Sequence, residues 1–476
     1  MRQGRTSEED DSDRSVIRRL ARVAGRFAGT GAGAGDGLRR HFVFGTGGSF
    51  VLKLVAVAVS FVCTVLIRRT LPLATYGAVF YALNFIVLLS IPAVFGMDRL
   101  LVREVAAFTA RNELPLLRGV LRWTSVAGLV TSLGTAAVAA AVVCVLLRAG
   151  QGNRGMLIAI LVALPMLPVR TLSILRQSAL RGLKHVLIAF VPDLLIPPML
   201  VLALFGAGVL FFRDALNAET TLMMQMAGLA TALAVGVFVL RWRLPTPIWQ
   251  GGAEYRPGSW FRSALMLMLV SSMYTLNART DTFLLGLFKG DASVGVYSGA
   301  LGAAEFMAFI QMAVNTTLAP AAAQLYAQRD MARLQQVLRK LVRYTFGASL
   351  AAALGFIVFG HWYLLIFGKA YTAGYTALAI LCVGQLISAS AGSVGVILTM
   401  TGYEKDAALG SAIGVTLSIL LGLALIPVWG IEGAALANAA GVAVWNIMLS
   451  VTVRRRLGLH ASIIGTLVKE TANEKA

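Results

Sequence analysis

Charge is scarce in this sequence. Only 13% of its 476 residues are Asp, Glu, Lys or Arg, about half of the roughly 25% found in soluble globular chains. That excludes an ordinary multidomain soluble enzyme. A disordered chain is excluded too, because it would be poor in apolar residues. Acid is scarcer than base, with 22 Asp and Glu against 42 Lys and Arg. Cysteine and histidine are almost missing. Cys63, Cys144 and Cys382 stand singly inside apolar runs, which excludes a disulfide framework or a thiolate metal site. His41, His185, His361 and His460 are too scattered for an imidazole centre, so no metal site is expected. No Walker phosphate loop occurs, so the chain is not expected to hydrolyse ATP. Basic stretches interleaved with aromatics, which a nucleic-acid reader needs, are also lacking. So are a Ser/His/Asp set, a paired-carboxylate site and any loop long enough to house a catalytic domain. An enzyme is not expected.

What the chain has is apolar length: 58% of its residues are hydrophobic. A membrane-spanning helix needs about 20 mainly apolar residues. Twelve such runs lie near 43–67, 76–97, 123–147, 155–175, 186–211, 220–240, 263–286, 295–320, 344–360, 375–400, 406–427 and 431–453. They are apolar all round, which predicts spanning helices and not alternating barrel strands. Gly and Ala are frequent in them, as close packing between membrane helices requires. The segments between runs are short. Counted alternately, those on one side carry 33 Lys and Arg and those on the other carry 7. The excess marks the cytoplasmic side and accounts for the formal net charge of +20. Both termini are therefore expected in the cytoplasm.

The halves repeat. Residues 76–83 align with 294–301 at an offset of 218, Val120-Leu121-Arg122 with Val337-Leu338-Arg339 at 217, and Gly182 with Gly402 at 220. Six spans per repeat put both halves in the membrane the same way up, related by an axis along its normal. The expected organisation is a polar cytoplasmic tail at 1–42, a six-helix lobe at 43–240, a cytoplasmic linker at 241–262 rich in Pro and Gly, a second six-helix lobe at 263–453 and a cytoplasmic tail at 454–476. The fold class is all-α integral membrane protein, about twelve helices in two parallel-repeat lobes around a central cavity. Rocking lobes would expose that cavity to alternate sides, which favours a carrier over a channel.

Four segments carry a resemblance. Phe95-Gly96-Met97-Asp98-Arg99 ends the second span. Asp281-Thr282-Phe283-Leu284-Leu285 leads into Val294-Gly295-Val296-Tyr297. Leu365-Ile366-Phe367-Gly368-Lys369-Ala370-Tyr371 precedes the tenth span. Ile426-Pro427-Val428-Trp429-Gly430-Ile431-Glu432-Gly433 makes the last turn. In order and spacing they resemble the polysaccharide exporters, or Wzx-type flippases, of the multidrug/oligosaccharidyl-lipid/polysaccharide (MOP) superfamily. The resemblance runs from about residue 43 onward. It implies a flippase that moves an undecaprenyl-pyrophosphate-linked oligosaccharide repeat unit from the cytoplasmic to the outer leaflet of a bacterial inner membrane, for cell-surface or exported polysaccharide. It implies no cofactor beyond a coupling proton or sodium ion. The implied partners are the polyprenyl-linked glycan, membrane lipids and a polysaccharide polymerase complex. The alternative is a cation-coupled multidrug or small-molecule antiporter of the same superfamily.

Ionisable groups inside spans are candidates for function. Lys53, in the first span, either faces the cavity and attracts diphosphate or snorkels to the interface. Arg279 and Asn277 in span 7 and Asn84 in span 2 are candidate substrate contacts, the Arg as a bidentate phosphate ligand unless, lying towards the outer end of its span, it snorkels to the interface. Asp281, one turn from Asn277, and Glu305, in the middle of span 8, are candidates for ion coupling. Asp193 follows Pro192 in a helix also broken by Pro197 and Pro198, either as a coupling group or as a cap. Asp98 and Arg99, with Arg103 and Glu104, form either a gating cluster at the cytoplasmic mouth or a solvated loop face. The amides Gln225, Gln311, Asn315, Gln385, Asn438 and Asn446 either contact sugars or join helices.

Overall fold

Apolar runs of this length must satisfy their own backbone groups in lipid, and helices do so within one segment. The computed structural model describes residues 55–244 and 252–463 and is helical almost throughout, without a strand among the described residues. The first lobe holds α1 (described over 55–70), α2 (Leu73–Val94), α3 (Met97–Arg111), α4 (Leu114–Arg148), α5 (Arg154–Ala163), α6 (Met166–Gly182), α7 (Val186–Phe211) and α8 (Ala218–Arg243). The second holds α9 (Pro257–Ala327), α10 (Met331–Phe367), α11 (Tyr375–Ala391), α12 (Val394–Met400) and α13 (Glu404–Leu457). Helices α5 and α6 meet at a 46° bend and are together long and apolar enough for one span. Two of the long helices are hairpins. Helix α9 breaks at Gly290 (φ 78°) and α13 at Gly430 (φ 58°), a left-handed backbone that suits glycine. Across the first break Tyr297 reaches back to Asp281; across the second, Gly414 packs on Trp445. With each arm counted, a helix lies in each of the twelve apolar runs. Caps set several starts: Asn217 and Thr220 exchange side chain-to-backbone bonds of 2.8 and 3.0 Å at the start of α8.

The duplication is written in the turns. Left-handed residues pair at one register: Asn112 with Arg329, Gly150 with Gly368, and Lys184 with Gly402. Pro72, before α2, stands 218 residues before the break at Gly290, and Phe212, after α7, 218 before Gly430. The partner of Gly402 is thus Lys184, not Gly182 as the residue types alone suggested. At the lobe interface the repeat contacts itself. A Cβ on Gly77 would meet the backbone of Asp291, and one on Gly295 the backbone of its counterpart Leu73. Such reciprocity is the mark of a two-fold contact. It runs between α2 and the second arm of α9.

Span 4 differs from expectation. The apolar run that defines it ends near residue 175, but α6 continues helically to Gly182. Its polar residues Thr171, Ser173 and Ser178 are buried, and Arg176 is buried because Asp193 of α7 pairs with it. A buried charge is tolerable when so matched.

Three apolar cores set the shape. One, running from Ile67 and Tyr76 to Tyr297 and Phe367, spans both lobes at the end of the bundle that carries the turns at 72, 290 and 430; this is the distal end. At the other end, which carries most of the cations, the cores separate. One joins α3, α4 and α6 to Trp260 and Ala264 at the start of α9. The other lies within the second lobe, from Leu318 to Leu449. Both lobes thus contribute to the distal core, while at the basic end the first arm of α9 packs with the first lobe and the rest of the second lobe keeps a core of its own.

Candidate functional site

Where the lobes meet, α2 and both arms of α9 bring three polar side chains together. Arg279 Nη1 donates to Asn84 Oδ1 at 2.9 Å and to Glu305 Oε1 at 3.1 Å. Asn84 is oriented by its own amide, which donates to the Phe80 carbonyl at 2.8 Å and leaves Oδ1 towards Arg279. The hairpin at Gly290 is what places residue 305 opposite residue 279, and the two-fold contact is what places residue 84 beside them. Arg279 stands eleven residues before the break, about 16 Å from the distal end at 1.5 Å per residue, so it is mid-span and not at the outer end as its sequence position suggested. The Glu305 side chain is 56% exposed and that of Arg279 26%. Both therefore face open space and not packed helix. Tyr81, Phe85 and Phe283 stack beside them across the lobes, with ring centroids 5.8 to 6.4 Å apart.

Between α2, α6 and the first arm of α9 lies a cavity of about 150 Å³. Ser90, Asp98, Arg170, Ser272 and Thr275 supply its polar lining. Arg170 makes no hydrogen bond or ion pair among the described residues, and its Nε is shielded. It lies close enough to Arg279 for the two charges to repel, and to Asp193 to be attracted. The two guanidinium groups come one from each lobe, Arg170 lining this cavity with Asp98 and Arg279 held by Asn84 and Glu305. An anion with several oxygens would relieve their repulsion.

The other expected residues are distributed differently. Asp281 is buried in the second lobe and turned from the cleft. Its Oδ2 accepts from Tyr297 Oη at 2.6 Å and Asn438 Nδ2 at 2.9 Å, and its Oδ1 from the Thr282 amide at 2.7 Å. Asn277 does not share that network; it lines a separate cavity with Gln311 and Asn446. Asp193 is committed to Arg176, with Ser173 Oγ donating to its other oxygen at 2.8 Å. The guanidinium fits over Gly236 of α8, where a Cβ would lie 2.3 Å from it. Of the basic-end cluster, Asp98 reaches the cavity, Arg99 is exposed, and Arg103 pairs with Glu104 on its own helix at 2.8 Å. Lys53 lies outside the described residues.

Sequence reasoning missed Arg170 and Arg176, read as loop cations, and Arg68, counted in an outer loop. Arg68 is buried at the distal seal. It donates to the Ser298 carbonyl at 3.1 Å and lies over the rings of Phe367, Tyr76 and Tyr371 at 4.3, 5.0 and 5.6 Å. Beside it Arg69 donates to the Ile366 carbonyl at 2.7 Å. The available signal for Arg176 was Asp193 itself, since a carboxylate inside an apolar span demands a cation.

Two six-span lobes around a polar cleft define a carrier-type membrane fold. It is the fold of the MOP superfamily transporters, and residues 263–424 match the MatE family model. The structure is similar to an inward-facing multidrug resistance MATE transporter of that superfamily (TM-score 0.67, 13% identity, 86% of this chain and 98% of that one). It is comparably similar to the lipid II flippase MurJ in an inward closed conformation (TM-score 0.66, 14% identity, 85% and 87%). In sequence it is similar to the probable low-salt glycan biosynthesis flippase Agl15 of Haloferax volcanii, 24% identical over 244 residues. That match spans about half of each protein, 51% of this chain and 51% of the relative. The matched family is one of transporters and flippases, not enzymes.

Proposed function

We propose that the chain is a flippase for a polyprenyl-diphosphate-linked oligosaccharide, moving it from the cytoplasmic to the outer leaflet by alternating access. The observation that carries this is the pair Arg170 and Arg279, one from each lobe and close enough for their charges to repel, with Arg170 lining a cavity and making no ion pair among the described residues. Guanidinium forks suit a diphosphate, and a cleft for a cationic drug would place its charges the other way. In this reading the diphosphate displaces Glu305 from Arg279 and draws the lobes together at the basic end. The distal seal of Arg68, Gly77 and Gly295 then opens. Asp281 is the coupling group, taking a proton or sodium ion among the donors from Tyr297, Thr282 and Asn438. Asp98 and Arg99 gate the basic mouth, and Lys53 remains a substrate contact on its place in the sequence alone. The membrane is the bacterial cytoplasmic membrane, with both termini inside, the orientation that the excess of basic residues favours. The glycan is passed on to a polymerase complex, and undecaprenyl is the lipid that the sequence resemblance favours.

A second reading, a multidrug antiporter, is favoured by one observation: Glu305 is a half-exposed carboxylate in the cleft and would attract a cation. Binding separates the two. The purified protein in lipid nanodiscs is titrated with undecaprenyl diphosphate, undecaprenol and a lipophilic cationic dye. The flippase reading expects saturable binding of the diphosphate, about 30-fold weaker in Arg170→Ala or Arg279→Ala, as loss of a charged hydrogen-bonding group implies. Saturable dye binding that Glu305→Gln abolishes, with no diphosphate binding, would favour the antiporter.

A further inference from the structure

The second lobe holds a partly open cavity of about 240 Å³ between both arms of α9, α11, α12 and the second arm of α13. Every residue lining it is uncharged, which separates it chemically from the arginine cleft. Its polar groups are mostly carboxamides, from Asn277, Gln311, Asn315, Gln385 and Asn446, and the indole of Trp445 shares the wall. Amides between membrane helices ordinarily bond one another. Part of this set does so: Asn446 Nδ2 donates to Ser388 Oγ at 3.2 Å, and Ser388 Oγ donates to Gln311 Oε1 at 3.2 Å. The rest does not. Asn277 is only 8% exposed, and it and Asn315 each hold a shielded Oδ1 without a hydrogen-bond partner. Buried polar atoms are nearly always partnered, and two bare acceptors on one cavity point to an occupant that donates.

The volume is that of roughly eight waters, room for one pyranose ring with its hydroxyls. A carboxamide offers a donor and an acceptor side by side, the complement of neighbouring hydroxyls on a sugar. An indole offers an apolar face with a polar edge, the complement of ring C–H groups. A carboxylate or phosphate would find no cation here. We propose that this cavity is a subsite for one neutral pyranose residue of the transported glycan and selects against acidic sugars. The proposal rests on the flippase reading. The two sites share a helix, since Asn277 stands two residues before Arg279 on the first arm of α9.

The test uses the full chain in nanodiscs and saturation-transfer NMR with methyl glucopyranoside, methyl N-acetylglucosaminide and methyl glucuronide. Asn315→Leu and Gln385→Met remove polarity at near-constant volume, and Thr231→Val at an exposed position of the other lobe is the control. Neutral glycosides should give a signal that the glucuronide lacks. Each cavity variant should weaken it by about fivefold, the worth of one hydrogen bond, while Thr231→Val leaves it unchanged. Undecaprenyl diphosphate affinity should not change in either cavity variant. No neutral-glycoside signal in the unmodified protein, or a signal that both folded cavity variants retain, overturns the proposal. Glycoside binding of the expected pattern without any diphosphate binding would keep the cavity and remove the flippase. The reverse pattern would keep the flippase and remove the cavity.

Discussion

The lobe contact at the distal end can be opened with one methyl group. Gly77 of α2 abuts the backbone of Asp291, so that a Cβ there would lie 1.9 Å from the carbonyl oxygen and 2.7 Å from its carbon. Ordinary contact begins at 3.4 Å, so the two helices must part by the difference, about 1.5 Å at the ordinary contact distance for packed atoms. Neither partner can rotate aside, because both atoms are main chain. Overpacking of this kind costs about 1–3 kcal/mol, and a backbone clash belongs at the top of that range. At 1.4 kcal/mol per decade, Gly77→Ala should shift the equilibrium away from the distally sealed state by roughly 100-fold. Gly295→Ala meets the Leu73 oxygen at 2.7 Å and should shift it by only about fivefold, a cost near 1 kcal/mol. Gly134→Ala, with nothing within 4 Å, is the control. Spin labels at the exposed distal residues Gln151 and Lys369, with the three cysteines replaced by serine, report the gap by electron–electron double resonance. The long-distance population should rise in the order Gly134→Ala, Gly295→Ala, Gly77→Ala. Superimposable distributions for folded Gly77→Ala and Gly134→Ala would refute the two-fold contact as the seal.

Three further outcomes follow from the cleft and the buried charges. Glu305→Gln should raise diphosphate affinity several-fold, because the 3.1 Å partner that competes for Arg279 loses its charge; calorimetric titration with undecaprenyl diphosphate checks the sign. Asp281→Asn should leave that affinity nearly intact yet abolish the response of transport to an imposed proton or sodium gradient, measured in proteoliposomes. Asp193→Asn strands a guanidinium whose side chain is 3% exposed and should destabilise the first lobe by about 3–5 kcal/mol, whereas Arg176→Met with Asp193→Leu should be close to neutral. Thermal denaturation of the detergent-solubilised variants distinguishes the two, and equal losses would contradict the reading of that pair as a matched buried charge.

The twelve spans were legible because lipid leaves a chain one local answer for its backbone groups, and apolar length reports it directly. The repeat was legible at Tyr76-Gly77 against Val294-Gly295 because a helix crossing tolerates little else there. Its register near Gly182 was not, since Lys184 takes the left-handed conformation that glycine takes at 402, and residue type conceals backbone. The end of span 4 was illegible for a different reason. Arg170 and Arg176 look like loop cations until Asp193, 17 residues beyond Arg176, is folded against α6. Arg279, Glu305 and Asn84 were each visible as polar groups in lipid, but their meeting depends on a hairpin and a lobe contact. Arg68 was hidden altogether, because its cage comes from Phe367 and Tyr371, some 300 residues away.

Leaflet transfer tests the central claim most directly. Proteoliposomes carrying the full chain and a fluorescent undecaprenyl-diphosphate oligosaccharide are treated with a membrane-impermeant reagent that quenches or cleaves only the outer-leaflet glycan. Cationic-cleft flipping predicts that the protected fraction falls with time in the unmodified protein. In Arg170→Ala/Arg279→Ala it should stay at the level of protein-free vesicles. A protected fraction that never falls with the unmodified protein, or that falls equally fast without the two arginines, would contradict the account.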